Sequence, residues 1–197
     1  MEPIILASSS PRRQEILKML KIPFRVIIPN IDETLTSMFD DLEQVPGLLA
    51  REKVTAVIHS LPVGQEIPWV LGADTLISFN GKVMGKPQDH QQAVEFLKKL
   101  QGNTHTVITA IVLYNGHSHE TVSKICKTKV TFASMSDEEI EWYVETGEWH
   151  GAAGGYRIQS LASAFISKIE GSYSGAVGLP IFELYDILKS QGYSILE

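Results

Sequence analysis

Pro3-Ile4-Ile5-Leu6-Ala7-Ser8-Ser9-Ser10-Pro11-Arg12-Arg13-Gln14-Glu15-Ile16-Leu17 decides the fold class of this chain. Pro3 to Ala7 is a short apolar run that reads as a buried strand. Ser10 stands where an N-cap belongs, and Pro11 suits the first helical position, where its missing N–H has no intrahelical partner to lose. Ile16, Leu17 and Leu20 then fall on one helical face. A strand feeding directly into a helix marks an α/β protein. The junction is also the first chemical candidate. A helix start offers free N–H groups and a positive dipole end to a phosphate. Ser8, Ser9 and Ser10 add hydroxyl donors, and Arg12 and Arg13 add bidentate ones. The arginines point roughly 100° apart on a helix, and a capped helix with solvated arginines explains the same residues.

Outward from this junction the elements alternate. Phe24 to Ile28 reads as a second strand ended by Pro29, and Leu48 to Ser60 as a helix with Leu49, Lys53 and Val57 on one face. Trp69 to Gly72 predicts a strand, with a second one from Thr75 to Phe79 after a break, and Asn80-Gly81 a hairpin turn. Asp89 caps a helix carrying Ala93, Phe96, Leu97 and Leu100, stopped at Gly102. Thr104 to Leu113 and Thr121 to Phe132 are β-rich, with Asn115-Gly116 as a hairpin signal between them. Ser136 and Glu139 form a capping box for a helix that Gly147 ends. The last helix starts near Pro180 and carries Ile181, Leu184, Ile187 and Leu188. Hairpins beside βα units predict α/β architecture with a mixed or largely antiparallel sheet. No linker divides the chain, so residues 1–197 are expected to form a single domain.

The 197 residues are 44% hydrophobic and 20% charged, as in a soluble globular protein. No apolar run approaches the roughly 18 residues that span a bilayer, and the N-terminus lacks the basic lead of a signal peptide. Cys126 has no second cysteine to pair with. A cytoplasmic protein without membrane contact is expected. The net charge of −6 argues against long nucleic acid as a partner, since that binding rests on many Lys/Arg–phosphate contacts. A small anion remains open, because a few cations and a divalent metal can hold a polyphosphate.

Four further groups stand out. Gly72-Ala73-Asp74-Thr75 ends an apolar strand in a carboxylate, which can ligate a hard metal or deprotonate water, although strand-end acids are usually turn residues. Gly81-Lys82-Val83-Met84-Gly85-Lys86-Pro87 is similar to a P-loop but has one residue too few between its glycines and Pro87 for the Ser/Thr. Lys86 still suits a phosphate clamp. Asp32, Glu33 and Lys53 are each ordinary surface charges when taken singly. Gly151-Ala152-Ala153-Gly154-Gly155-Tyr156-Arg157-Ile158-Gln159 must turn tightly or approach something closely. His117 and His119 share a strand face but lack a third ligand in view, Cys126 reads as a small core residue, and no GxSxG elbow is present.

Together these motifs resemble the Maf family. The resemblance begins with Ser8-Ser9-Ser10-Pro11-Arg12-Arg13 and continues through Asp32-Glu33, Arg51-Glu52-Lys53, Gly72-Ala73-Asp74-Thr75 and Gly85-Lys86-Pro87. It closes with Gly171-Ser172-Tyr173 and Val177-Gly178-Leu179-Pro180, so it spans essentially the whole chain. It implies a fold shared with inosine triphosphate pyrophosphatases: a mixed, elongated sheet flanked by helices, with a cleft between two lobes. The implied activity is cleavage of nucleoside triphosphates to a monophosphate and pyrophosphate with Mg²⁺ or Mn²⁺, in a homodimer. Gly155-Tyr156-Arg157-Ile158-Gln159 is similar to the branch acting on dTTP and UTP. Ala152 and Ser160 depart from that branch, which commonly has Lys and Gly there. The resemblance implies Asp74 as catalytic base and metal ligand, with Glu33 as the other metal ligand. Ser8, Ser10, Arg13, Lys53 and Lys86 hold the triphosphate, and Arg12, Thr75 and Gln159 select the nucleotide. Gln159 is expected as a buried amide pairing with the 4-oxo and N3–H edge of thymine or uracil. Two alternatives stay open: a 7-methyl-GTP pyrophosphatase on the same scaffold, and a non-catalytic nucleotide-binding regulator of cell division.

Overall fold

β1 (Ile4–Ala7) is buried throughout and runs parallel to both neighbours, β2 (Phe24–Val26) and β3 (Trp69–Phe79). α1 (Pro11–Met19) makes the crossover from β1 to β2, because parallel strands cannot be joined by a tight turn. The computed structural model describes residues 1–31, 41–62 and 64–196. Among them β4 (Lys82–Met84), β5 (Thr104–Asn115), β6 (Glu120–Phe132) and β7 (Ile166–Glu170) complete a mixed sheet of order β2-β1-β3-β5-β6-β7, with β4 antiparallel to β3. The flanking helices are α2 (Val45–Ser60), α3 (His90–Leu100), α4 (Asp137–Glu145), α5 (Tyr173–Val177) and α6 (Ile181–Ser190). None of the described helices is long and apolar enough to cross a membrane.

The chain forms two compact units. The first comprises Met1–Asp74, Thr109–Cys126 and Gly178–Glu197, the second Thr75–Ile108 and Lys127–Val177, so the boundaries fall inside β3, β5 and β6. In the first, Ala50, Val54 and Val57 of α2 pack on Ile5, Ala7, Val70 and Val112 of the sheet. In the second, Leu97 and Leu100 of α3 and Ile140 and Tyr143 of α4 pack with Val107, Val130 and Phe132.

Local signals translate directly into structure. Asp89 accepts a hydrogen bond from the Gln92 N–H at 2.8 Å, and Ser136 and Glu139 close a reciprocal capping box. Asn80 and Gly81 have φ of 49° and 72°, the left-handed pair that a two-residue hairpin demands, and Phe79 pairs with Lys82 across it. The hairpin signal at Asn115-Gly116 falls where residues 116–119 turn between the neighbouring strands β5 and β6, and Gly116 is required there for close approach: a Cβ would lie 1.5 Å from the Ile67 carbonyl oxygen. Two expectations are corrected. Ser10 occupies the N-cap position of α1, but its side chain makes no capping bond. Most consequentially, β3 is one unbroken strand, so Asp74 sits in its interior and not at its end.

Candidate catalytic site

The reason β3 does not break at Gly72 organises the site. A Cβ on Gly72 would lie 2.4 Å from the Ala50 carbonyl oxygen and 2.7 Å from Val54 Cγ2. Glycine inside a strand marks a close backbone approach, and here it lets α2 lie against β3. Lys53, one turn beyond Ala50, belongs to the buried face of α2 with Leu49, Val54 and Val57. Stripping water from an ammonium costs several kcal/mol after relaxation, so a lysine in this position needs an anionic partner. Asp74 provides it: Lys53 Nζ donates to Asp74 Oδ1 at 2.6 Å, with side chains 7% and 13% exposed. Among the described residues Asp74 Oδ2 has no hydrogen-bond partner.

The serine turn lies level with this pair. Ala7, the last residue of β1, is in register with Gly72, so Ser8 to Ser10 emerge at the carboxyl end of the parallel strands, where α/β sheets place ligands. Ser8 is buried, and its Oγ accepts from Arg13 Nη1 at 2.9 Å and from the Ser10 N–H at 3.2 Å. Arg13 shares the core-facing stripe of α1 with Ile16 and Leu17, and its Nε donates to the Gly178 carbonyl at 2.9 Å. The guanidinium is thereby clamped against the turn. Arg12, on the neighbouring face, is half-buried.

Of the remaining expected residues, Thr75, Lys86 and Gln159 belong to the second unit. Thr75 is half-buried, and Lys86 is exposed on the loop between β4 and α3. The glycine run is tied to that loop, since the Gly154 N–H donates to the Gly85 carbonyl at 2.9 Å. Gly154 has φ of 68°, and a Cβ there would press on Ile77 Cδ1 at 2.7 Å. Gln159 is exposed, contrary to the buried amide expected: Ile158 takes the core position, and its neighbour faces outward. Ser160 Oγ donates to the Glu148 carboxylate, which also accepts from the Leu161 N–H at 3.2 Å. Behind the run, the Tyr156 hydroxyl lies 2.6 Å from His105 Nε2, both residues buried. Burial alone holds the His105 pKa down at about 4, and burial also raises that of Tyr156.

Asp32 and Glu33 lie outside the described residues. Among the described residues no three His, Cys, Asp or Glu side chains gather as a metal cage. His117 and His119 turn to different partners, Glu2 Oε2 and the Tyr114 hydroxyl, each at 2.9 Å. Cys126 is buried.

Residues 3–191 match the family model described as "Maf-like protein". The chain belongs to this family. Its relatives within the Maf-like group include a "dTTP/UTP pyrophosphatase" of Pelotomaculum thermopropionicum, 43% identical over 196 residues, all of both chains. Another of the same name from Salmonella typhimurium is 42% identical, covering 96% of this chain and 93% of that one. A third, from Desulforamulus reducens, is 41% identical over the whole of both chains.

In this Maf-like chain several supporting groups escape a linear reading. Gly178 lies 165 residues from Arg13; it falls in the Val177 to Pro180 segment that carried the resemblance, but nothing in the sequence says its carbonyl is an acceptor for arginine. His105 begins a β-rich run and gives no sign of its tyrosine partner. Gly72 was legible only as a strand break.

Proposed function

We propose that this Maf-like protein is a nucleoside triphosphate pyrophosphatase acting on dTTP and UTP, releasing the monophosphate and pyrophosphate. The observation that carries the reading is the Lys53–Asp74 pair beside the Ser8–Arg13 turn: a carboxylate with one oxygen anchored and the other open to water, next to hydroxyl and guanidinium groups suited to phosphate. The names of the relatives support the choice of substrate.

In this reading Asp74 Oδ2 accepts a proton from water as the water oxygen bonds to the α-phosphorus. The bond from that phosphorus to the bridging oxygen breaks, and pyrophosphate leaves. Lys53 aims the carboxylate and, with Arg13, Ser8, Ser10 and Lys86, offsets the charge of the triphosphate. Arg12, Thr75 and Gln159 select the nucleotide. The donor chemistry of Asp74 fits a hard cation, because Mg²⁺ takes one or two carboxylates and completes its shell with phosphates and water. Asp74 and Glu33 would hold Mg²⁺ or Mn²⁺, which when bound neutralises phosphate charge. The location is cytoplasmic.

A panel of dTTP, UTP, CTP, GTP and 7-methyl-GTP with each metal, products identified, tests the proposal. Preference for dTTP and UTP with pyrophosphate release is the expected result. Preference for 7-methyl-GTP, or binding without turnover, would replace it.

A further inference from the structure

The outward face of α4 carries a tryptophan that the core does not use. Ile140, Tyr143 and Val144 supply the buried stripe of this helix, within the second unit. Trp142 is 51% exposed, and its ring meets the half-buried ring of Phe165 edge-on, with centroids 6.3 Å apart. Leu161, which opens the 3₁₀ turn that Phe165 closes, is 43% exposed. A lone exposed apolar residue is ordinary, whereas aromatic rings in contact at the surface are the make-up of an interface centre.

The backbone beneath these side chains is fixed. α4 starts in the Ser136–Glu139 capping box, the Phe165 carbonyl accepts from the Ala133 N–H at 2.8 Å, and the Glu148 carboxylate accepts from the Leu161 N–H at 3.2 Å. Groups already held in place lose little freedom on binding.

The carboxylates of α4 indicate what covers this face. Asp137 pairs with Lys98 at 2.8 Å, Glu139 accepts from the Ser136 N–H at 2.7 Å, and Glu141 lies 3.6 Å from His90 Nε2. Glu138 and Glu145 are left without a partner among the described residues. They stand one turn before and one turn after Trp142, so they flank the indole on one helical face. Such a rim repels nucleic acid and anionic lipid. A second copy docked about a two-fold axis through this face would set acidic rim against acidic rim. Stable interfaces between whole domains bury about 1,200–2,000 Å², and two rings with a leucine suit a short segment instead.

We propose that this face of α4 docks a basic amphipathic segment of another protein. An apolar side chain of that segment sits on Trp142 and Phe165, and its Lys or Arg side chains meet Glu138 and Glu145. The proposal is independent of the pyrophosphatase reading.

The test is the fluorescence anisotropy of a dye-labelled amphipathic peptide of leucine and lysine, titrated with the full chain beside its leucine–glutamate counterpart. Saturable binding of the lysine peptide, weakening as salt rises, is expected, with none of the glutamate peptide. Trp142→Ala should weaken binding by about thirtyfold or more, the loss typical of an aromatic hot spot, and Trp142→Phe by less. The position is exposed, so Tm should not move in either variant. Glu138→Lys combined with Glu145→Lys should reverse the preference, so that the glutamate peptide binds. Glu66→Lys combined with Glu120→Lys makes the same change of net charge on exposed residues of the first unit, and should leave binding within about twofold because distant charges are screened. Equal losses in the two charge-reversed proteins, or wild-type affinity in Trp142→Ala, would reduce the binding to net charge and overturn the proposal. No binding of the lysine peptide to wild type would overturn it directly. Self-association in sedimentation that Trp142→Ala abolishes would also overturn it, making the face an interface between copies.

Discussion

Gly72→Ala isolates the contact on which the Lys53–Asp74 geometry depends. Gly72 is not among the glycines with positive φ, so alanine meets no backbone strain there. The new methyl would, however, lie 2.4 Å from the Ala50 carbonyl oxygen, where ordinary contact begins near 3.4 Å. α2 and β3 must therefore separate by about 1 Å, an overpacking that typically costs about 1–3 kcal/mol. For a chain of this size each 1 kcal/mol moves Tm by about 2–4 °C, so a fall of roughly 2–12 °C is expected. Lys53 rides on the same helix, and its 2.6 Å contact with Asp74 lengthens as the helix retreats. A misplacement of about 1 Å can lower turnover by about a hundredfold. Thermal unfolding and steady-state dTTP hydrolysis read the two effects. Gly192→Ala is the control: φ there is 80° and nothing lies within 4 Å, so it strains a turn without moving α2 and should leave kcat alone. Gly72→Ala with wild-type Tm and kcat would refute the close-approach explanation and the coupling to Lys53.

Two further outcomes are expected. His105 is held neutral by burial, with a pKa of about 4 against an ordinary 6.5; unfolding releases it to bind a proton, so its contribution to stability is full above about pH 6.5 and fades as pH falls towards 4, at up to about 1.4 kcal/mol per pH unit. His105→Gln should flatten the denaturant-midpoint profile over that window, and an unchanged slope would remove His105 from the acid response. Chelation of divalent metal should abolish dTTP turnover, with Mg²⁺ or Mn²⁺ restoring it; full activity in excess chelator would remove the metal from the reaction.

What the sequence made legible was local. The Asn80-Gly81 turn, the Asp89 cap and the Ser136–Glu139 box are decided by residues within three or four positions of one another, and each formed as its chemistry requires. The spacing of Leu49, Lys53 and Val57 puts the three on one helical face, yet Lys53 taken singly reads as ordinary surface charge, and its burial with that face comes from the fold. The partner itself was not legible, because Asp74 lies 21 residues away and the pairing depends on a missing Cβ at Gly72. The same glycine was read as a break because its only cause, the α2 backbone, is tertiary. Gln159 is expected to be buried because the resemblance makes it a base reader, whereas in the irregular stretch after Tyr156 the inward place belongs to Ile158.

Hydrolysis of dTTP in ¹⁸O-water, with products separated and weighed by mass spectrometry for wild type and Asp74→Asn, tests the mechanism most directly. The expected result is dTMP carrying the label beside unlabelled pyrophosphate, with the folded variant slower by roughly two orders of magnitude, the contribution of a general base. Labelled pyrophosphate, dTDP with orthophosphate, or an Asp74→Asn rate within about threefold of wild type would contradict it.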